Sequence, residues 1–295
     1  MSAKTSVSIS LVWSPPDDPN GIVLRYELQR DGTTVYSGTK LSFVDTNLSP
    51  FTSYTYYVYS ITAAGSAKSV DRLVVHTHGS VPEGLAPPVI FQIKDRSVIV
   101  SWKSPSKPNG VIQWYVLKSV SKGVESTHYT GLSSPVQVTG LQPFTVYQFT
   151  VTACTIDGCL KSDGITVSTR SAAPDSQPAP YIRKVFGGTK LVVTWDAPSQ
   201  PNGEIQFYDL FQRSAPFQGE GNTAGVQLKP NNRTFEVTGL LPYTEYEFRI
   251  VAYTTQVKGS TSSNWTRTRT LEGGLLSVWQ WEPGRENYHV GMRAV

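Results

Sequence analysis

Apolar and polar residues alternate along this chain in short runs, and the same arrangement of runs appears three times. Val7, Ile9, Leu11 and Trp13 form the first run, Val98, Val100 and Trp102 the second, and Leu191, Val193 and Trp195 the third. A period of two with one apolar side predicts a strand with one buried face. After each Trp comes Pro-Asn-Gly, at Pro19-Asn20-Gly21, Pro108-Asn109-Gly110 and Pro201-Asn202-Gly203. This predicts a turn, because proline presets φ and Asn or Gly tolerates positive φ. Alternation resumes at Tyr26 and Leu28, Tyr115 and Leu117, and Tyr208 and Leu210.

Further on, Leu-x-Pro-aromatic-Thr-x-Tyr recurs at Leu48 to Tyr54, Leu141 to Tyr147 and Leu240 to Tyr246. Each copy leads into another inward row: Tyr54, Tyr56, Val58; Tyr147, Phe149, Val151, Ala153; Tyr246, Phe248, Ile250, Ala252. Trp to Asn is seven residues and Asn to Tyr six in every copy. Chance does not supply that spacing three times, so the chain is three copies of one unit. Trp to the later Tyr is 41, 45 and 51 residues, so the copies differ by loop insertions. Long amphipathic helical windows are missing. Several short strands with turn signals between them predict an all-β chain of sandwiches.

The three units resemble fibronectin type III domains. That family carries a core Trp on its second strand, here Trp13, Trp102 and Trp195, then a Pro-rich turn. A tyrosine corner begins its sixth strand, here Tyr54, Tyr147 and Tyr246. The resemblance spans about residues 3–271 and implies three tandem immunoglobulin-like β-sandwiches, arranged as beads on a string. In such a corner the Tyr hydroxyl bonds backbone a few residues upstream, which makes these six residues architectural. The units are expected at 1–78, 87–170 and 178–271, with linkers at 79–88 and 171–178 acting as semi-rigid Pro-rich spacers. The first unit has no counterpart of Pro87-Pro88-Val89 or Pro178-Ala179-Pro180-Tyr181, so its first strand is expected to be truncated, as in a fragment. Residues 272–295 break the pattern and are expected to form an atypical, disordered tail.

Composition narrows the class. A length of 295 residues suits two or three domains. The net charge of +4 comes from scattered Lys and Arg, whereas a nucleic-acid binder wants them clustered. No apolar run reaches the roughly 18 residues a membrane span needs. Met1-Ser2-Ala3-Lys4-Thr5 has no signal-peptide pattern, which fits either a cytosolic protein or an internal piece of a larger exported one.

The two cysteines are the sharpest local feature. In Cys154-Thr155-Ile156-Asp157-Gly158-Cys159 a tight-turn dipeptide separates two strands, bringing opposed Cβ atoms to about 4.5–5.5 Å. A disulfide needs about 3.5–4.5 Å, so a small adjustment bridges Cys154 and Cys159 in an oxidising setting, and a reducing one leaves two thiols. Three surface glycosylation acceptors are present, at Asn232, Asn264 and Asn47, the last weakened by Pro50. Arg30-Asp31-Gly32 lacks the Arg-Gly-Asp order and predicts a hairpin turn.

Ser263 to Arg269 is faintly similar to the Trp-Ser-x-Trp-Ser stretch of cytokine receptors, where Arg stacks on Trp. With one Trp of the two, it predicts a last strand with a solvated face. His76 and His78 lack a third metal ligand. The Gly219 to Gly225 stretch is not set between a strand and a helix, as a phosphate loop requires. Asp17, Asp18 and Asp45 are expected to be isolated turn residues. No Ser/His/Asp, Cys/His or carboxylate pair clusters, so catalysis, metal and cofactor are not expected.

Within the family, the cysteine hairpin, the Pro-Asn-Gly turn and the Trp265-Thr266-x-Thr268 ending are similar to repeats of a very large ectodomain of sensory-cell projections and basement membrane. That implies a non-catalytic extracellular or cell-surface spacer and adhesion array. It would be monomeric as a fragment and would contact other extracellular or matrix proteins. Two alternatives remain. A receptor ectodomain would hold ligand at a rigid elbow with clustered aromatic loops. A cytosolic filament array would carry reduced thiols and no glycan.

Overall fold

A computed structural model of the chain describes residues 3–217, 225–254 and 260–273, and among these every regular element is a β-strand. The chain falls into two compact units, Met1–Arg170 with two sandwiches and Ser171–Val295 with the third. The expectation for the tail beyond Gly273 lies outside the described residues, as does most of the Gly219 to Gly225 stretch.

The second domain shows the complete plan. One sheet runs Val136–Thr139, Ser97–Ser101, Val89–Phe91. The other runs Val124–Gly131, Trp114–Ser121, Val146–Thr155, Gly158–Lys161, with Ile165–Ser168 also on Val146–Thr155. All pairings are antiparallel. The inward residues of both sheets meet in a core of twelve buried side chains, among them Leu85, Trp102, Leu117, Tyr147 and Phe149. Leu85 comes from the stretch expected to be a linker. The third domain repeats this plan, with Tyr181–Phe186, Lys190–Thr194 and Thr234–Val237 in one sheet. Its core also holds twelve buried residues among those described, including Trp195 and Phe248.

The first domain departs from the plan on one side. Among the described residues Ser8–Val12 pairs with Ser42–Thr46 and, through a single antiparallel bridge from Ile9, with Lys4, where the other domains have a three-stranded sheet. Its core holds six buried residues, and Trp13, Tyr54 and Val58 are only partly buried. Their counterparts Trp102, Tyr147 and Val151 are buried. Asp45 is no turn residue. It lies buried in Ser42–Thr46, accepts from Arg30 Nη1 at 2.9 and 3.0 Å and takes the Tyr56 hydroxyl at 2.7 Å. A buried carboxylate needs such partners to offset its desolvation. Burial first, then the bond to Asp45, raise the Tyr56 pKa.

The three corners are built alike. Tyr54 Oη accepts from Ser49 N–H at 2.8 Å, Tyr147 from Gln142 at 2.8 Å and Tyr246 from Leu241 at 2.9 Å. Phe51, Phe144 and Tyr243 take positive φ at each corner tip and point outward. Each corner is also locked by a buried threonine from the end of the last strand. Thr77 Oγ1 donates to Ser49 O and accepts from Thr52 N–H, and Thr169 and Thr270 do the same at their own corners.

Candidate functional site

Beyond closing sandwiches, the recurring motifs grip the segment that leads into each domain. In the second domain Asn109 sits in the left-handed region at φ 53°, as the turn requires. The residue is only 9% exposed, and its side-chain amide donates to Val81 O at 2.9 Å. Ser80 N–H donates to Asn109 O at 2.9 Å, and Glu83 and Lys107 exchange backbone bonds of 2.8 and 3.1 Å. The 79–88 stretch is therefore hydrogen-bonded along its own domain rather than acting as a spacer held only at its ends.

The cysteine hairpin forms the other jaw. Cys154 and Cys159 are opposed in register and joined by a disulfide. At its tip Thr155 Oγ1 donates to Ser80 O at 3.4 Å, and a Cβ on Gly158 would meet Val81 at 2.8 Å. A Cβ on Gly79 would lie 2.1 Å from the Asp157 carboxylate and 3.1 Å from Asn109 O, so a side chain here would have to displace that carboxylate. Closing so short a loop removes unfolded-chain entropy worth about 2 kcal/mol. The bridge thus stiffens a hairpin whose tip holds the leading segment.

The third domain grips its leading segment without cysteines. Asn202 Nδ2 donates to Ala173 O at 2.9 Å, Thr254 Oγ1 to Ala172 O at 2.9 Å and Thr261 Oγ1 to Pro174 O. In the first domain the corresponding groups make local bonds among the described residues. Asn20 is exposed and donates only to Asp18 O, while Thr62 bonds within its own turn.

The last strand of the third domain has the expected solvated face, with Arg267 and Arg269 exposed, and beside it stands an arginine and aromatic ladder. Trp265 lies between Arg213 at 4.2 Å and Arg249 at 4.8 Å from its ring centre, and Phe217 lies against Arg267 at 4.4 Å. Glu247, nearly buried, ties Arg213 and Arg267 together at 2.7 and 2.9 Å. Burial alone would raise the Glu247 pKa, but the bonds from Arg213 and then Arg267 outweigh it and hold the group below its ordinary value. The single Trp makes the stacking, with Arg213 and Arg249 from two different strands.

Asn47, Asn232 and Asn264 are all exposed. His76 and His78 are exposed, and no cluster of three metal-ligating side chains occurs among the described residues. Asp31 and Gly32 both take positive φ in a two-residue hairpin, with Arg30 opposite Thr33. Among the described residues no helix is long and apolar enough to cross a membrane.

The three sandwiches and their like-built corners define a tandem array of one domain type. The chain belongs to the fibronectin type III family, whose domain model matches residues 1–74, 82–169 and 176–269. It is similar to mouse usherin, 34% identical over 277 residues, and to human usherin, 33% identical over 278. Each match covers 89% of this chain and 5% of the usherin, so the chain spans a small part of those relatives. It is also 30% identical over 212 residues to rat phosphatidylinositol phosphatase PTPRQ, covering 69% of this chain and 9% of that protein.

Proposed function

We propose that this chain is a non-catalytic extracellular spacer and protein-interaction array, an usherin-like run of repeats that sets the spacing and exposure of contact surfaces in a cell-surface or matrix protein. One observation carries the reading: the Cys154–Cys159 disulfide closes the hairpin that grips the leading segment. Such a bond persists in oxidising compartments and is rare in the cytosol. Exposed Asn47, Asn232 and Asn264 are compatible with glycans, and the resemblance extends the proposal to sensory-cell projections and basement membrane. Partners are other extracellular or matrix proteins, met through loops and edge strands on rigid sandwiches.

Intact mass of the chain from a secreting cell, before and after reduction and deglycosylation, tests this. The expected result is one disulfide and at least one glycan; a reduced, unmodified chain overturns it and favours the cytosolic array.

A second reading, ligand capture at an elbow, has one observation in its favour. Where the first domain meets the second, Phe51, Val111, Trp114 and Ile156 are exposed around one groove. Exposed aromatic and aliphatic side chains around a groove favour binding. Binding of a soluble ligand that is lost with Trp114→Ala and Phe51→Ala together would select this reading.

A further inference from the structure

Each corner tip carries a large aromatic residue where the backbone favours glycine. Phe51, Phe144 and Tyr243 take φ of 52°, 47° and 46°, and all three side chains are exposed. L side chains rarely adopt that left-handed region, which glycine enters without strain. An exposed aromatic there strains the corner and packs into no core, so its use lies outside the sandwich. For Phe51 the surroundings lie within the compact unit that holds the first two domains. Its N–H donates to His78 O at 3.0 Å, which fixes the tip where the second domain begins.

Phe51 lines a groove of about 540 Å³ together with Val111, Trp114, Ile156 and Asp157. All four apolar side chains are exposed, Ile156 by 90%. The disulfide hairpin sets the far wall. Trp114 opposes Cys154 in register and Cys154 opposes Cys159, so the indole starts from the strand that the hairpin pairs with. The hairpin tip carries Ile156 and Asp157, and the Asp157 N–H donates to Thr155 Oγ1 at 3.2 Å. The Asp157 carboxylate stands over two glycines, its Oδ2 2.1 Å from a Cβ built on Gly79 and 3.9 Å from one on Gly110. Among the described residues no hydrogen bond or ion pair reaches that carboxylate, and no Lys or Arg lines the groove. Aromatic and aliphatic walls around one such carboxylate suit a cation on an apolar stem.

The third domain builds the complete arrangement from its own residues. There Arg213 lies 4.2 Å from the ring centre of Trp265 and pairs with Glu247 at 2.7 Å. The groove supplies an aromatic and a carboxylate of the same kind and lacks the guanidinium. We propose that this groove takes an arginine side chain from a separate extracellular protein. The guanidinium pairs with Asp157 and lies against Trp114, and aliphatic neighbours of that arginine pack on Phe51, Val111 and Ile156. Arginine suits the site better than lysine, because its planar fork meets a carboxylate through two hydrogen bonds and stacks on an aromatic face. This deepens the array reading, on which it rests for a partner outside the cell, by naming one contact site and the side chain it takes. Its test uses purified chain, so failure here leaves the mass experiment untouched, and the reverse holds.

The capped peptide acetyl-Leu-Arg-Leu-amide is titrated into the full, disulfide-bonded chain, with the Trp114 indole N–H and the Ile156 methyl signals followed by NMR. Saturable shifts at both are expected, with a Kd of about 1 mM for so small a probe. Citrulline in place of the peptide's arginine keeps the shape and removes the charge; it should weaken binding about tenfold, as should Asp157→Asn. Trp114→Ala should weaken it about fivefold. Phe51→Gly should weaken it about threefold without lowering the thermal midpoint, since glycine relieves the corner. A lowered midpoint would overturn the place of Phe51 in the site. If Trp114→Ala does not fold, Asp157→Asn, a charge change at an exposed turn, carries the test. No saturable shift overturns the proposal, as does equal binding of the citrulline peptide or indifference to both Asp157→Asn and Trp114→Ala. Dimers that shift the Trp114 signal without peptide also overturn it, naming a second copy as the occupant.

Discussion

The first and second domains share every landmark residue and differ in what those residues do. Asn109 is buried and holds a carbonyl of the leading segment; Asn20, with the same spacing and the same sign of φ, faces solvent. Trp102 is sealed beneath a three-stranded sheet, whereas Trp13 borders a cavity. The same motif therefore makes different bonds in the two domains. In physical terms, the stretch between two sandwiches belongs energetically to the one that follows it.

Removing the core Trp tests that difference most severely. Trp102→Ala and Trp195→Ala should each cost their domain about 3–5 kcal/mol, while Trp13→Ala should cost about 1–2 kcal/mol less because its site is already partly open. Denaturant dependence of amide exchange, read domain by domain, separates the three; equal losses would mean that the cavity beside Trp13 is not open in solution. Reducing Cys154–Cys159 should come next, at about 2 kcal/mol. Exchange should rise first in the hairpin and at the Ser80 amide, with no change in the other two domains.

Asn109→Asp should cost about 1–2 kcal/mol, since it removes the donor and sets a carboxylate near Glu83. Asn20→Asp should stay within about 0.5 kcal/mol. Thermal denaturation of the two variants compares them directly, and similar losses would mean that the bond to Val81 O adds nothing to Asn109.

The smallest effects separate the two compact units by pH. Burial lowers the His128 pKa from its ordinary 6.5. The unfolded chain then binds the proton more tightly, so the second domain keeps full stability above about pH 6.5 and loses some as pH falls below it. Glu247 is held below its ordinary 4.5, so the third domain keeps that contribution above about pH 4.5 and loses it only as pH falls further. Exchange measured at pH 7, 5.5 and 4 should weaken the second domain before the third, and His128→Gln should remove the earlier step.

Period-two patterning and three fixed spacings made the sandwiches, the Trp positions and the corner Tyr residues legible. Those signals are local, and each repeat states them again. What escaped is contact between strands far apart in sequence. Thr77, Thr169 and Thr270 are three threonines among many, and only the register of the last strand brings them under a corner. Asp45 looked like a turn residue because nothing nearby in sequence announces Arg30 and Tyr56. The ladder around Trp265 draws Arg213, Arg249 and Glu247 from other strands. The Pro-Asn-Gly turn was legible as a turn; its grip on the segment upstream was not, because the bonded carbonyl lies 28 residues away.

The grip on Ser80 to Glu83 also decides how the second domain meets tension. Pull on the chain from its N-terminal side and the load enters through this segment, reaching the bonds to Lys107 and Asn109 before the sheets. Those bonds act as a fuse in series with the sandwich. In single-molecule stretching the first low-force event should be release of this segment, at a force lowered by Asn109→Asp, while the sandwich behind it stays folded.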